Sequence, residues 1–390
     1  MIYLLLAAAL LGHVIFWAAL VNRLHGLGID RRSIDQATMV CGAAMGGIPL
    51  VIAYYFWQQG GIGFDRGIPG RVAAVYLFLS AVACLAAAVH RLLMAMHPER
   101  SGALESNHTT RVDLSHHDLH VLAAPGIPRL LARIPGNQIF DLHLHEKRIS
   151  IPRMPAGREL RIAHITDLHM SGRVAKEYFV EIVEAVNRLE ADLVLLTGDL
   201  VEREACLSWL PDTLGRLRAK AGVYYVLGNH DLRMDHRKLL DALNGLGLIH
   251  VGGTWREAEV ASVRVVLAGN EMPWLGPAPN PALLPPRDAE DLPLRILLAH
   301  TPDQFHWAQM HDFDLMLAGH NHGGQIRLPW LGPILAPSLS GVRYASGTFI
   351  RGNTVMHVGR GTGGLTPFRW NCPPEIALLV LVPGQDGPAI

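Results

Sequence analysis

Three long segments near the start of the chain contain no Asp, Glu, Lys or Arg, and this feature constrains the fold more than any other. They are IYLLLAAALLGHVIFWAALV from Ile2, ATMVCGAAMGGIPLVIAYYFW from Ala37 and VAAVYLFLSAVACLAAAV from Val72. Each runs roughly 18 to 21 residues, and an α-helix needs about 20 residues to cross the hydrocarbon core of a bilayer. The sequence therefore predicts a membrane domain over residues 1–95 with three transmembrane helices.

The basic residues around these segments predict an orientation. No basic residue precedes the first segment and two similar segments follow it, which argues against a cleaved signal peptide. The flanking arginines are Arg23, Arg31 and Arg32, then Arg66 and Arg71, then Arg91 and Arg100. If positive charge marks the cytoplasmic side, the N-terminus lies outside and the chain after the third segment lies inside. We expect a multi-pass protein of the inner (cell) membrane, in contact with membrane lipids, with its later domain on the cytoplasmic face.

Charge and cysteine usage exclude some classes of protein. The chain has 34 Lys and Arg residues and 34 Asp and Glu residues, so no nucleic-acid partner is indicated. The four cysteines form no CxxC pair, which excludes a thiolate zinc site and is typical of a reducing compartment.

The polar stretch after the membrane segments is predicted to be a linker over residues 96–137. It contains HPERSGALESNHTTRVDLSHHDLH and then APGIPRLL. Its histidines are His108, His116, His117 and His120. A histidine tract can bind metal, but these residues have no fixed spacing and no carboxylate partner in the pattern, which favours a solvated linker.

From Gln138 onward the periodicity predicts a globular domain over residues 138–390. IFDLHLHEKRISI alternates apolar and polar residues, which predicts an edge strand with His143 and His145 on its polar face. Short runs rich in branched residues predict buried strands. They are LRIAHIT, DLVLLT, VYYVLG, VRVVLAG, RILLAH, DLMLAG, TVMHVG and IALLVLV. VAKEYFVEIVEAVNRLE, WLPDTLGRLRAK and RKLLDALNGLG predict helices between them. Periodicity alone thus predicts an α/β fold with helices outside the sheet.

Polar residues follow five consecutive predicted strands. They are Asp167 and His169, then Asp199, then Asn229, His230 and Asp231, then His300, then His320 and His322. Singly, each could be a helix cap, a turn residue or an ordinary histidine. Ligands of α/β sheets collect at the carboxyl ends of strands, so five such exits together favour a metal or catalytic site.

The residue types indicate the kind of metal. Carboxylate, imidazole and amide groups without sulfur suit Mn²⁺, Fe²⁺, Zn²⁺ or Co²⁺ better than Ca²⁺. The set exceeds what one ion with an open position can hold, and paired ions about 3.5–4 Å apart serve phosphoester cleavage. We expect two divalent ions, with Mn²⁺ favoured.

The ordered motifs Asp-x-His, Gly-Asp, Gly-Asn-His-Asp, a single His and Gly-His-x-His resemble those of the calcineurin-like metallophosphoesterase family. The likeness continues through GGQIRLP and RGTGGLTPFRWNCPPEIALL, as in the bacterial membrane-associated branch of the family. It implies a two-sheet sandwich flanked by helices, preceded here by three transmembrane helices.

The resemblance also implies residue roles. Asp167, His169 and His322 would hold the first metal, Asp199 would bridge, and Asn229, His300 and His320 would complete the second site. His230 would be the catalytic acid or would steady the phosphate, and Asp231 would orient its ring.

Substrate contacts and loops carry weaker expectations. Arg360, Gln325 and Arg327 are candidates for substrate binding, although structural salt bridges explain them equally well. Residues 272–286 and 328–337 predict apolar loops that either pack internally or meet lipid. In LAGHNHGGQ, the glycines Gly319, Gly323 and Gly324 are expected to bend the backbone so that His320 and His322 reach one site.

The predicted function is a membrane-anchored, metal-dependent hydrolase of phosphoester or pyrophosphate bonds. Some members of the branch resemble UDP-2,3-diacylglucosamine pyrophosphatases, so a lipid-linked substrate of that kind is the specific expectation. The alternatives are a general phosphodiesterase or phosphatase acting on phospholipid head groups or soluble esters, and a non-enzymatic membrane sensor or scaffold.

Overall fold

The structure is a computed structural model that describes residues 2–64, 67–96, 102–114, 116–287, 293–329, 331–364 and 366–384. Arg66, Arg100 and Trp330, which enter the sequence-based expectations, lie outside the described residues. The chain divides into two compact units. The first contains Met1–His97 and Pro337–Arg343, and the second contains Pro98–Ala336 and Tyr344–Ile390.

The first unit contains the predicted membrane helices. They are α1 (Ile2–His25), α2 (Arg31–Gln58) and α3 (Gly67–Met96). These three helices of the described chain are long and apolar enough to cross a membrane. His13 joins them, because its Nε2 lies 2.8 Å from the carbonyl oxygen of Met45 on α2 and its Nδ1 bonds the Tyr76 hydroxyl on α3. The one imidazole within α1's charge-free segment thus has polar partners on both other helices.

The strands of the second unit follow the predicted apolar runs. In chain order they are β1 (Leu104–Arg111), β2 (His143–Ile151), β3 (Leu160–Ile165), β4 (Leu193–Thr197), β5 (Val223–Val226), β6 (Ile249–His250), β7 (Trp255–Val260), β8 (Val263–Asn270), β9 (Leu294–Ala299), β10 (Leu315–Ala318), β11 (Arg327–Leu328), β12 (Gly332–Pro333), β13 (Gly347–Arg351), β14 (Thr354–Val358) and β15 (Glu375–Pro383). The helices are α4 (Leu119–Leu122), α5 (Ile127–Ala132), α6 (Lys176–Asn187), α7 (His236–Gly245) and α8 (Phe305–Met310).

Two mixed sheets form the body of this unit. Among the described residues, one sheet has the strand order β1-β2-β15-β3-β4-β5-β6 and the other has the order β13-β14-β10-β9-β8-β7. Strands β3 to β6 run parallel, and so do β8, β9, β10 and β14. The predicted two-sheet fold is therefore confirmed.

Apolar residues from the inner faces of both sheets form the central core. Ile162 on β3, Leu195 on β4, Ile296 on β9 and Leu317 on β10 are buried in one cluster. On the outer face of the first sheet, α6 packs with residues spaced three and four apart, including the fully buried Phe179 and Ile182. The sandwich is flanked by helices because each sheet face needs an apolar cover.

Two predictions for the start of this unit are wrong. The predicted linker 96–137 contains β1, which pairs antiparallel with β2 and extends the seven-stranded sheet. As a result β2 is an interior strand, and His145 is buried with its Nδ1 2.9 Å from the Thr109 hydroxyl on β1. Seven of the eight residues of β1 are exposed polar or charged residues, so its apolar signal is too weak to identify it from the sequence.

One predicted α-helix is also wrong. WLPDTLGRLRAK lies over two short 3₁₀ segments, Glu204–Asp212 and Leu214–Arg216, instead of one α-helix. Pro211 cannot donate a backbone hydrogen bond and its ring clashes with the preceding turn, which stops an α-helix there.

Candidate metal centre

The exits of five parallel strands converge at one end of the sandwich. Backbone hydrogen bonds join these exits directly: Asp167 N–H donates to Gly198 O, His169 N–H to Asp199 O, and Gly319 N–H to His300 O. The three bonds measure 3.0, 2.9 and 2.9 Å. These bonds join exits within each sheet. Across the two sheets, the His320 N–H donates to Asp167 Oδ1 and Oδ2 at 3.1 and 3.0 Å, so both sheets bring their polar loops to one place, as the carboxyl ends of parallel strands do.

The predicted ligand residues share an unusual backbone conformation. Five of the seven, all within the described residues, have positive φ: Asp167 (52°), His169 (52°), Asp199 (54°), His320 (68°) and His322 (49°). Such left-handed conformations cost free energy in non-glycine residues and cluster at functional sites. At each of these residues the backbone leaves the extended conformation of the strand, and this changes the direction in which the side chain points.

The first group of side chains is Asp167, His169, Asp199 and His322. His169 Nε2 lies 2.9 Å from His322 Nε2 and 3.5 Å from Asp199 Oδ2. His322 Nε2 lies 3.4 Å from Asp167 Oδ1, and His169 Nε2 lies 3.9 Å from the same oxygen. The four side chains therefore surround one small volume.

The second group is Asp199, His300 and His320, with Asn229 beside them. His300 Nε2 lies 3.3 Å from Asp199 Oδ2, 3.1 Å from His320 Nδ1 and 3.2 Å from the amide oxygen of Asn229. Asp199 belongs to both groups, which is the position that a bridging carboxylate requires.

The donor chemistry fits two divalent ions. Ligand atoms on one ion lie about 3.0–3.4 Å apart, because bonds of about 2.0–2.1 Å meet at angles near 90–110°. Most of the separations above fall near this range. Burial raises the pKa of Asp199, but the neighbouring His300 and His230 hold it well below its usual value, so the carboxylate is ionised. Burial and the nearby His169 keep the pKa of His322 well below its ordinary value, so that imidazole is neutral as a ligand must be.

His230 lies at the edge of the first group. Its ring meets the His169 ring edge-on with centroids 4.8 Å apart, and its backbone N–H donates to Asp199 Oδ1 at 2.8 Å. The His230 side chain keeps 14% of its surface exposed, whereas that of His169 keeps none. His230 can therefore meet a substrate that enters from solvent.

The prediction that Asp231 orients His230 is wrong. The Asp231 carboxylate accepts three backbone N–H bonds, from Leu200 and Val201 at Oδ1 and from Gly228 at Oδ2, all within 2.9 Å. These bonds tie together the loops after β4 and β5, and the His230 ring contacts Glu202 instead. Burial and the Asp199 carboxylate raise the pKa of Asp231 to about 7.

Glu202 takes the orienting role that the sequence assigned to Asp231. Its Oε1 lies 3.0 Å from His230 Nδ1 and 2.5 Å from His169 Nδ1, and its Oε2 accepts from Arg233 at 2.9 Å. Burial alone would raise the pKa of Glu202, but these imidazoles hold it below its usual range. The only sequence signal was a carboxylate three residues after Asp199, which any surface loop could contain.

Two other residues complete the surroundings. Trp274, from the loop after β8, places its ring centroid 4.9 Å from that of His320 and 5.7 Å from that of His300. Arg369 is fully buried, donates to the carbonyls of Arg360 and Gly363, and approaches His322 Nδ1 at 3.4 Å. The sequence marked both segments, RGTGGLTPFRWNCPPEIALL and residues 272–286, but it assigned no role at the site to Arg369 or Trp274.

The three candidate substrate residues make local contacts. Gln325 donates to the carbonyls of Thr366 and Phe368 at 2.8 Å, and Arg327 donates to Gly323 O at 2.7 Å. Arg360 Nε lies 3.5 Å from Glu375 Oε2. Gln325 and Arg327 thus hold the loop after His322, and their contact with substrate stays a prediction.

The glycines of LAGHNHGGQ act in two different ways. Gly323 and Gly324 have φ of 63° and 86°, as a sharp bend requires. Gly319 instead permits close approach, because a Cβ there would lie 2.0 Å from Thr166 Oγ1. The bend itself also includes His320 and His322, which adopt positive φ.

Comparison with known proteins agrees with this geometry. The sequence profile described as Calcineurin-like phosphoesterase matches residues 160–324. The chain is 31% identical to Phosphodiesterase YaeI of Escherichia coli, over 57% of this chain and 82% of that protein. It is 34% identical to an uncharacterized metallophosphoesterase of Helicobacter pylori, over 58% of this chain and 60% of that protein. It is 28% identical to the UDP-2,3-diacylglucosamine pyrophosphatase LpxG of Chlamydia trachomatis, over 56% of this chain and 83% of that protein.

The fold and the site define a metallophosphoesterase, an enzyme that hydrolyses phosphoric esters. The chain belongs to the calcineurin-like phosphoesterase family. The predicted family and enzyme class are confirmed, and the alternative of a non-enzymatic sensor or scaffold is not supported.

Proposed function

We propose that this protein is a membrane-anchored, dinuclear metallophosphoesterase that cleaves a phosphodiester or pyrophosphate bond in a lipid-linked substrate such as UDP-2,3-diacylglucosamine. The observation that carries the reaction is the pair of ligand groups that share Asp199. We assign Asp167, His169 and His322 to one ion, Asn229, His300 and His320 to the other, and Asp199 to both. Manganese is the favoured metal.

The membrane helices and the relative LpxG support the lipid-linked substrate. Residues 1–95 would anchor the enzyme, residues 138–390 would contain the catalytic centre, and the cytoplasmic face would be the side of action. An enzyme held at the bilayer meets a substrate that diffuses in the same plane, without having to extract it into water.

Different residues would have different roles in the proposed reaction. Two divalent ions bound at these groups would neutralise phosphate oxygens and favour ionisation of a water nucleophile. His230 would donate a proton from Nε2 to the leaving oxygen, because Glu202 accepts at Nδ1 and fixes the ring. Asp231 would keep the loops of Asp199 and His230 at a constant separation through its backbone bonds.

A substrate panel tests this proposal. The full-length protein in detergent with Mn²⁺ should hydrolyse UDP-2,3-diacylglucosamine with a higher kcat/KM than bis(p-nitrophenyl) phosphate or glycerophosphodiesters. Asp199→Asn should lower all of these activities by roughly 10³-fold or more, since it removes several kcal/mol of metal-derived stabilisation. Asp212→Asn, at an exposed ion pair with Lys176, is the matched control and should retain activity.

Surface dilution distinguishes lipid-linked from soluble substrates. At constant bulk concentration, the rate on the lipid-linked substrate should fall as detergent dilutes it within mixed micelles, while the rate on the soluble diester stays constant. A preference for soluble esters with no surface dilution would instead support the second candidate, a general phosphodiesterase, which the relative YaeI favours.

A further inference from the structure

A second kind of histidine cluster lies outside the metal centre. His116 Nε2 and His117 Nε2 lie 3.1 and 2.9 Å from the same carboxylate oxygen, Oε1 of Glu181. The two imidazole rings are 4.3 Å apart between centroids. We name these three residues the connector cluster, because His116 and His117 lie between β1 and α4 whereas Glu181 lies on α6.

The connector cluster is accessible to solvent. The His116 side chain is 55% exposed, that of His117 is 21% exposed and that of Glu181 is 14% exposed. One side of the cluster is therefore open to water, while its carboxylate sits on a helix whose buried face anchors it to the sheet. A ligand set on a fixed helix with an accessible side can capture an ion from solution.

Two of the three separations between these ligand atoms are close to the edges of a coordination polyhedron, and all three atoms lie within 4.8 Å of one another. Neighbouring ligands of tetrahedral zinc lie about 3.3 Å apart, because Zn–N and Zn–O bonds measure about 2.0–2.2 Å. The observed separations of 2.9 and 3.1 Å need to widen by only a few tenths of an ångström. Two imidazoles and one carboxylate are also a set that zinc accepts with water in the fourth position.

The alternative is two simple hydrogen bonds from the imidazoles to one carboxylate. Direct hydrogen bonding explains the contacts, but it does not require two adjacent rings to converge on a single oxygen when Glu181 has a second one. The arrangement also gathers three donor atoms within 4.8 Å of one another, so that a single ion could reach all three. The Glu181 carboxylate is ionised in either case. Burial raises its pKa, but the hydrogen bonds from His117 and His116 bring the pKa below its usual value.

We propose that His116, His117 and Glu181 form an additional metal site, suited to Zn²⁺ and separate from the phosphoesterase centre. Bound zinc would join the segment after β1 to α6, the helix that follows the loop of Asp167 and His169. The cluster shares no residue with the centre described above. Its role would be to hold this segment in place, without contact with substrate.

Zinc binding by full-length protein in detergent tests the proposal. After chelator treatment and dialysis, equilibrium dialysis against ZnCl₂ followed by elemental analysis gives the bound zinc per chain. Glu181→Gln should bind one zinc ion fewer than the unmodified protein, and Mn²⁺-dependent hydrolysis should change by less than about twofold because the cluster lies outside the catalytic centre. Glu177→Gln, exposed one turn earlier on α6, is the matched control and should bind the full number.

Two further variants keep the test decisive. The double variant His116→Asn with His117→Asn should lose the same single ion, and it replaces Glu181→Gln if that variant does not fold by circular dichroism. Asp199→Asn should lose zinc from the catalytic centre while the connector cluster keeps its ion. An equal zinc count in the unmodified protein, folded Glu181→Gln and the double variant would overturn the proposal and leave the cluster as a hydrogen-bonded contact.

Discussion

At the scale of single residues, Glu202 is the side chain whose position most changes the interpretation of the site. One carboxylate oxygen contacts the Nδ1 atoms of both His169 and His230. A proposed metal ligand and the proposed acid are therefore oriented by the same group. Outer carboxylates of this kind fix the tautomer and the direction of an imidazole.

We predict that Glu202→Gln lowers kcat/KM by about 10–100-fold, the usual effect of removing such a carboxylate. Glutamine keeps the shape but offers one carbonyl oxygen, and its NH₂ group cannot accept from Arg233 or an imidazole. Mn²⁺-dependent hydrolysis of bis(p-nitrophenyl) phosphate measures the change. Glu204→Gln, at an exposed pair with Lys238, is the matched control; equal activity in the two variants would exclude the orienting role.

Asp231→Asn should affect stability more than the orientation of His230. Its amide NH₂ would face the backbone N–H of a neighbouring loop in place of a carboxylate oxygen, and an unsatisfied buried donor costs about 1–3 kcal/mol. Thermal unfolding should shift downward by several degrees, on the order of 2–4 °C per kcal/mol. A variant with unchanged unfolding temperature but a changed pH–rate profile would restore the original hypothesis that Asp231 orients the ring.

The sequence could predict the residues that converge but not their partners. Asp167, Asp199 and His300 could be found because each follows a strongly apolar strand, and a sheet brings strand exits together. Glu202, Trp274 and Arg369 reach the site through loop conformations that no short pattern encodes. The resemblance implies that Asp231 orients His230, but a motif gives the order of residues and does not determine which way a turn points each side chain.

At the scale of secondary-structure elements, strands β3 and β10 approach so closely that only glycine fits between their exits. A Cβ on Gly319 would lie 2.0 Å from Thr166 Oγ1 and 2.3 Å from Asp167 Oδ2. This contact aligns the exit that bears His320 with the exit that bears Asp167.

We predict that Gly319→Ala lowers both activity and unfolding temperature, because the added methyl group forces the two loops apart. Displacements of about 1 Å at a catalytic centre can cost 10²-fold in rate. Gly245→Ala is the matched control, since its Cβ would meet nothing within 4 Å. Comparable activity in the two alanine variants would contradict the close approach.

The strands also carry a buried polar network, which predicts sensitivity to acid. His164 on β3 lies 3.0 Å from His357 on β14, which in turn lies 2.9 Å from Lys147 Nζ on β2. Burial lowers the pKa of His164 from 6.5 to about 3. Between these values the unfolded chain binds a proton that the folded protein does not, so this residue costs stability as pH falls below 6.5.

The expected slope is about 1.4 kcal/mol of unfolding free energy per pH unit for His164. His164→Gln in chelator-treated protein should reduce the pH dependence by about that amount, and urea unfolding between pH 6.5 and 4 measures it. An unchanged slope in this variant would show that the imidazole is already protonated in the folded protein.

The sequence predicts the helices and strands whose side chains are mostly buried, but it does not predict those whose side chains are mostly exposed. The helix α6 and the strands of the central sheets have strong periodicity, because one face or both faces are covered. Strand β1 is mostly exposed and polar, so its pairing with β2 depends on backbone bonds that leave little trace in composition. The residues of β1 alone therefore do not show that it pairs with β2.

At the scale of the whole molecule, the sequence predicts two regions that differ in composition and in type of fold. The apolar first segments and the mixed α/β remainder correspond to the two compact units in the part of the chain that the structure describes. Pro337–Arg343 is the exception, since it belongs to the first unit although it follows the last ligand motif in the chain. Composition could not place this segment, because a short loop carries no periodic signal.

Metal removal should destabilise the second unit as a whole. Each left-handed non-glycine residue costs about 1–2 kcal/mol, and five of the proposed ligands adopt this conformation. We expect chelation to lower the unfolding temperature and added Mn²⁺ to restore it, as differential scanning fluorimetry can measure. A protein equally stable with and without chelator would show that the loops hold their conformation unaided.

The left-handed ligands also bear on the fate of the protein in a cell. If bound ions hold these five left-handed residues in place, the chain made without ions would have a smaller free energy of unfolding. Under metal starvation, such chains would be unfolded more often and cleared by proteases instead of accumulating as idle enzyme. Metal supply would then set the amount of this protein as well as its rate of turnover.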